Sequence, residues 1–358
     1  MPEVSLTDLR RLRVGAHLLD GRGADPAAVV RHLGALQAQD RTATLWSMGL
    51  RAGTDVAAVH AAVEGREVVR TWPMRGTLHW VPGEDARWMC RLLSRPATRS
   101  ARRLREERGV SAELVEQAGA VLETVLAEGP RSRPAVLAAW EAAGISTDQG
   151  RGYLLLVSLC ERGDLVQAGV DGKQPTFALL DRWVPASRDL GDEEALAVVV
   201  ERYVRSHGPV HEKDVAGWWG GTLRDVRAAV ASLGDRLATV AHDGATLLVH
   251  ADAESSAEPS VVLLPAFDEF LLGHKDRSAV LAARHATSVV PGGNGVFAPT
   301  VLVDGQVVGT WRRQERKDRV EVSVTPFEPL PRRTFRAVET AAAAYGDFVG
   351  LPVDFSST

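Results

Sequence analysis

No run of eighteen apolar residues occurs anywhere in this 358-residue chain, and a membrane-spanning helix needs about twenty. The opening MPEVSLTDLRRLR is charged where an export signal requires its apolar segment. Together these absences predict a soluble, cytoplasmic protein with no membrane partner. Cysteine is confined to Cys90 and Cys160, each alone in a helix-like stretch. That excludes a disulfide framework and leaves no spaced set of thiolates for zinc or an iron–sulfur cluster, so no metal is expected and both thiols read as core residues. Lysine appears only as Lys173, Lys213, Lys275 and Lys317. The remaining basic residues are arginine, the better two-point partner for phosphate. A net charge of −4 argues against a chain coated in nucleic acid. What is present, 45% hydrophobic and 25% charged residues, is ordinary globular material long enough for two or three packed units.

Charge is distributed less evenly than its total suggests. RLLSRPATRSARRLREERG, TWRRQERKDR and PRRTFR each concentrate arginine, and a solvated helix face is the plain reading for such runs.

A unit of helices followed by a hairpin recurs along the chain. Ser5 with Asp8, and Asp25 with Pro26, open two helices by capping logic. Helices from about Asp40 through Leu50 and over DVAAVHAAVEG follow, and VVRTWPMRGTLHWV then reads as two strands around Met74 to Gly76. The order returns with a hairpin at Asp171-Gly172, and again with one at Asp243-Gly244. Helices followed by a hairpin describe a winged helix. The prediction is therefore an α+β, mainly helical chain with winged-helix units at 1–108, 109–188 and 189–253. After the polar break ADAESSAEPS, residues 254–358 read as an antiparallel β sheet or barrel with a final helix, FRAVETAAAAYGDFVG, closing the chain. Such units most often bind DNA, and they also serve as transcriptional regulators without chemistry or as protein-interaction scaffolds.

LGALQAQD places Gln37 and Gln39 where an amphipathic helix ends, because its stripe of Val29, Leu33 and Leu36 stops there. An isolated Gln-x-Gln is ordinarily a pair of surface amides. Two apart on a helix, the side chains would diverge by about 200°; two apart in extended chain, they share a side. The joint between helices therefore aims both amides together. Asp40 or Thr42 could cap the following helix; Asp40, next in line, reads as that cap and, as the second reading, as a base.

LGALQAQDRTATLW, VRTWPMRGTLHWV, LLPAFDEFLLGHKDR and PTVLVDGQVVGTWRR, in that order across nearly the whole chain, resemble the bacterial winged-helix DNA glycosylases of the AlkZ and YcaQ type. The resemblance implies tandem winged helices in a C-shaped clamp with a C-terminal β-element. It also implies a catalytic Gln-x-Gln, here Gln37 and Gln39, and a cofactor-free activity that removes alkylated purines from double-stranded DNA or unhooks interstrand crosslinks, as in self-resistance of antibiotic producers. Glutamine takes no proton at neutral pH, but it can hold a water through one accepted and one donated hydrogen bond. That suits a purine alkylated at N7 or N3, whose leaving base already carries positive charge. Arg75 and His79 on the first hairpin are candidates for lining the cleft, beside the plainer reading of His79 as core. Lys275 with Arg277 reads as a phosphate contact or a simple ion pair rather than a Schiff-base lysine, giving a monofunctional enzyme. Asp304-Gly305 is a candidate for narrow insertion into the minor groove, and Arg312, Arg313, Arg316 and Lys317 for phosphate contact. Such a clamp needs no second subunit, so a monomer that acts without fully flipping the base is expected.

Overall fold

The computed structural model describes residues 1–357 apart from 97, 98, 185, 257–259 and 294. Residues 97 and 98 of the first arginine run, and 257–259 of the polar break, thus lie outside the described residues. Helices begin where local chemistry directs. Ser5 Oγ accepts the Asp8 N–H at 3.1 Å and opens α1 (Leu6–Ala16). Asp25 Oδ1 accepts the Ala28 N–H at 2.6 Å, with Pro26 in the first turn, and opens α2 (Pro26–Leu33). After the short strand β1 (Leu36–Gln37), Asp40 Oδ1 accepts the Ala43 N–H at 2.9 Å and opens α3 (Arg41–Ala52). Each cap satisfies one of the amides that a helix start leaves without a partner. Among the described residues no helix is long and apolar enough to cross a membrane.

The chain divides into two compact units: Met1–Ala62 with Ala197–Trp218 and Thr222–Thr358, and Val63–Leu196 with Trp219–Gly221. In the second unit, five strands lie in the order Thr77–Pro82, Val68–Met74, Leu165–Asp171, Gln174–Leu179, Arg131–Ser132. All neighbours are antiparallel. Arg70 opposite Gln167 forms the seam between the two predicted hairpins, and Arg70 Nη1 donates to Gln167 Oε1 at 3.0 Å. Trp72, Trp140, Leu155, Leu159 and Phe177 fill its core. Cys90 and Cys160 are free and buried, and burial pushes the Cys90 thiol up to about 12. Packing in this unit follows the pairing of two hairpins that lie far apart in the sequence.

In the first unit, the hairpin Leu237–His242 with Ala245–His250 turns at Asp243-Gly244. Both turn residues have positive φ, 48° and 72°, the geometry that makes Asp-Gly a two-residue turn. The C-terminal sheet runs Val353–Ser357, Val320–Pro326, Gln306–Glu315, Thr300–Val303, Val261–Leu264. Four of these strands are antiparallel neighbours, as predicted. The helix Arg332–Val349 does not close the chain, however: Val353–Ser357 follows it and pairs parallel with Val320–Pro326. The Cγ of Val353 sits where a Cβ on Gly346 would fall, 2.4 Å away, so glycine in the helix lets the returning strand lie close.

Candidate active site

Leu33 ends α2 because Gly34, at φ 81°, turns the chain out of helical geometry. Extended backbone follows, and burial alternates along it. Leu36 and Ala38 are buried, Gln37 is half-buried and Gln39 is exposed. Buried Leu36 and Ala38 beside the more open Gln37 and Gln39 is the pattern that extended chain produces. Asp40 is still extended, at φ −96° and ψ 101°, and its carboxylate caps α3.

Two features of the joint are chemical rather than architectural. Gln37 Oε1 is buried with no hydrogen-bond partner among the described residues. The Thr44 hydroxyl, one turn into α3, lies 2.7 Å from the main-chain oxygen of Gln37 and 2.9 Å from that of Asp40.

Helix α3 is anchored on its far side. Trp46 Nε1 donates to the Leu263 oxygen at 2.7 Å, and Ser47 Oγ donates to Asp268 Oδ2 at 2.8 Å. Arg51 grips the same carboxylate with both amino groups, at 2.9 and 2.7 Å. On the terminal helix, Tyr345 packs edge-on against Trp46 and against Trp311. Its hydroxyl donates to Glu315 Oε1 at 3.0 Å, and the Arg313 guanidinium lies 5.5 Å from the centre of its ring. Burial chiefly, with smaller contributions from the Glu315 and Asp40 charges, raises the Tyr345 phenol far above its usual range. Asp40, Tyr345, Arg313 and Glu315 therefore share one electrostatic neighbourhood.

The remaining predicted positions fall in several places. Arg75 is exposed at the turn of its hairpin, at φ 55°, and His79 is buried with Nδ1 2.9 Å from the Thr77 oxygen; both belong to the second unit. The Lys275 side chain lies along Gly217, whose added Cβ would meet Cε at 2.2 Å, while its amide donates to Asp214 Oδ1 at 3.1 Å. Arg277 Nε donates to the Leu271 oxygen, and its guanidinium lies 4.8 Å from the Phe297 ring centre. These two residues stitch the first unit together. Asp304 and Gly305 make a tight turn, at φ 48° and 76°, that is already occupied by the protein itself. Asp304 Oδ1 accepts the Ser260 N–H at 2.9 Å, and a Cβ on Gly305 would come 2.7 Å from Arg10 Cβ. Arg312 is exposed on the strand Gln306–Glu315, and in the turn leading to Val320–Pro326 Lys317 is exposed, whereas Arg316 holds both carboxylate oxygens of Glu321 at 3.0 and 2.9 Å.

Thr44, Glu315 and Tyr345 went unremarked in the sequence, which carries no sign of where a hydroxyl points. Asp268 and Glu269 did leave a signal: two acids inside the apolar run LLPAFDEFLL, where burial demands partners. Glu269 Oε2 accepts from Trp218 Nε1 at 3.1 Å.

The chain is similar to known proteins over most of its length. The family described as DNA glycosylase AlkZ-like matches residues 30–348. An interstrand DNA cross-link repair glycosylase from Streptomyces sahachiroi is 27% identical over 336 residues, covering 88% of this chain and 88% of that protein. The solved structure of the Streptomyces sahachiroi DNA glycosylase AlkZ superposes with a TM-score of 0.83 at 26% identity, covering 99% of this chain and 100% of that one.

Proposed function

The chain belongs to the AlkZ-like DNA glycosylase family, and from that premise we propose that Gln37 and Gln39 hydrolyse the N-glycosidic bond of purines alkylated at N7 or N3. The single observation that carries this reading is the orphaned, buried Oε1 of Gln37 in an extended joint. An unsatisfied buried acceptor costs about 1–3 kcal/mol, and a water molecule donating to it relieves that cost at the place where a nucleophile is needed.

In the proposed reaction, Gln37 Oε1 accepts one hydrogen of the water and the Gln39 amide holds its oxygen toward C1′ of the deoxyribose. The C1′–N9 bond breaks through an oxocarbenium-like transition state, its electron pair leaves with the base, and the alkylated base departs neutral because it began cationic. Water oxygen bonds to C1′, and its proton passes to solvent. Neither amide changes protonation, which neutral carboxamides cannot do in any case. Orienting the water supplies catalysis of the kind that positioned hydrogen-bonding groups give elsewhere. Asp40 acts as the helix cap in this scheme, since its Oδ1 already accepts the Ala43 N–H. The scheme uses no cofactor and leaves the DNA strand intact.

DNA is held, in this proposal, by the exposed Arg312 and Lys317, with Arg313 beside Tyr345. The turn at Asp304-Gly305, backed by Arg10, is the less favoured contact, and Lys275 and Arg277 serve packing first. Three winged-helix segments in a clamp, a monomeric state and a cytoplasmic location complete the reading. The relative named for interstrand cross-link repair supports extending the substrates to crosslinked duplexes.

The test is a duplex carrying a single N7-methylguanine. Release of the free base, with strand breakage appearing only after hot alkali, is the expected result. No release from this duplex or from a crosslinked one would remove the proposal.

A further inference from the structure

Gln37 sits on a two-residue strand just ahead of α3, and in the proposed reaction the placement of its main chain sets where its carboxamide meets water. We propose that Thr44 is the positioning residue for Gln37, acting through the main-chain carbonyl of that glutamine.

The argument begins with the Thr44 hydroxyl, which has one proton and two acceptors in reach. The Asp40 oxygen, at 2.9 Å, stands four residues back and already accepts the Thr44 amide N–H at 3.1 Å. Threonine makes such a back-bond in many helices. The Gln37 oxygen is nearer, at 2.7 Å, and belongs to the chain before the helix. Thr44 is 4% exposed, so water does not compete freely for its proton. The hydroxyl thus closes residues 37–40 into a loop clasped to the first turn of α3. Asp40 closes the same loop through its cap on Ala43, and Ala38, fully buried between the glutamines, fixes the side on which they face out. Beyond Thr44 the helix is held by Trp46, Ser47 and Arg51, so the clasp refers Gln37 to a rigid body. A clasp on the carbonyl of the reacting residue controls its placement without touching substrate, and a misplacement of about 1 Å costs on the order of a hundredfold in rate.

This inference rests on the catalytic role given to Gln37, and one set of variants separates the two claims. Thr44→Val keeps the shape and the Asp40 cap but removes the proton. Thr44→Ser keeps the proton, and Thr44→Ala covers the case in which valine crowds the turn. Each is measured by single-turnover release of N7-methylguanine, by affinity for the same duplex, and by thermal midpoint, alone and combined with Gln37→Ala. The expected result is a rate about 10- to 100-fold lower for Thr44→Val and Thr44→Ala, with duplex affinity within about twofold of the parent. Thr44→Ser recovers most of the rate. In the Gln37→Ala background, Thr44→Val has no further effect, because the residue it positions is gone. The inference is overturned when Gln37→Ala abolishes release and Thr44→Val does not slow it, or when the two losses multiply. Full activity of Gln37→Ala would instead remove the catalytic reading itself.

Discussion

Arg51 and Asp268, 217 residues apart in sequence, meet as a two-point ion pair in which neither side chain is more than 1% exposed. Breaking one side of such a pair leaves a buried charge without compensation and costs about 3–5 kcal/mol. Asp268→Ala is predicted to lower stability by that order in a denaturant titration, and a loss below about 1 kcal/mol would mean that the pair is not needed. Burial alone would raise the Asp268 carboxyl, but the charge and hydrogen bonds of Arg51, with those of Phe270 and Ser47, hold it below the usual range. A depressed carboxyl contributes stability that is complete above its unfolded value of about 4 and is lost as pH falls through the folded one.

A second pH dependence lies higher. His17 and His274 are buried, and burial first, then nearby cations including Arg13, holds both well below their normal range; burial likewise brings His32 to about 4. A lowered histidine is neutral in the fold and takes up a proton only on unfolding. Its contribution is complete above about pH 6.5 and declines as pH falls toward the folded value. The denaturation midpoint should therefore drop steadily between pH 7 and pH 5, before carboxylates titrate, and His17→Gln should flatten the slope. A level midpoint over that interval would contradict the assignment.

Asp40 distinguishes capping from chemistry. Asp40→Asn keeps a capping oxygen and removes the charge, so the excision rate should stay within about fivefold, while Asp40→Ala should cost about 1 kcal/mol of stability. Loss of excision in Asp40→Asn at unchanged stability would make Asp40 the base.

Lysine and arginine on the C-terminal hairpin are predicted to act unequally. Arg312→Ala and Lys317→Ala, both at exposed positions, should each reduce the salt dependence of duplex binding by about one unit of log–log slope. Arg316→Ala should change it less, since its charge is matched by Glu321. Binding titrations at several salt concentrations decide this, and an unchanged slope for Arg312→Ala and Lys317→Ala would place the DNA elsewhere.

Much of the joint was legible in the sequence. Val29 and Leu33 end a hydrophobic stripe, Asp40 announces the next helix, and the residues between have no helical period to obey. Asp-Gly turns were equally plain, because so few residues tolerate their backbone. Pairing of Arg70 with Gln167 was not legible, since register between distant hairpins leaves no local mark. Val353–Ser357 was missed for a different reason. VDFSS is short, half polar and stabilised by the neighbour it joins, so its own residues do not declare a strand. Thr44 shows the same limit at one atom: its identity was visible, but the acceptor of its proton was not.

The central claim is that neutral amides suffice because the departing base is already cationic. Its most direct measurement compares single-turnover release of N7-methylguanine and of unmodified guanine from otherwise identical duplexes, with Gln37→Ala and Gln39→Ala alongside. The account predicts release of the methylated base faster by more than about three orders of magnitude, and marked loss of that release in both variants. Comparable release of both bases, or undiminished release by the variants, would contradict it.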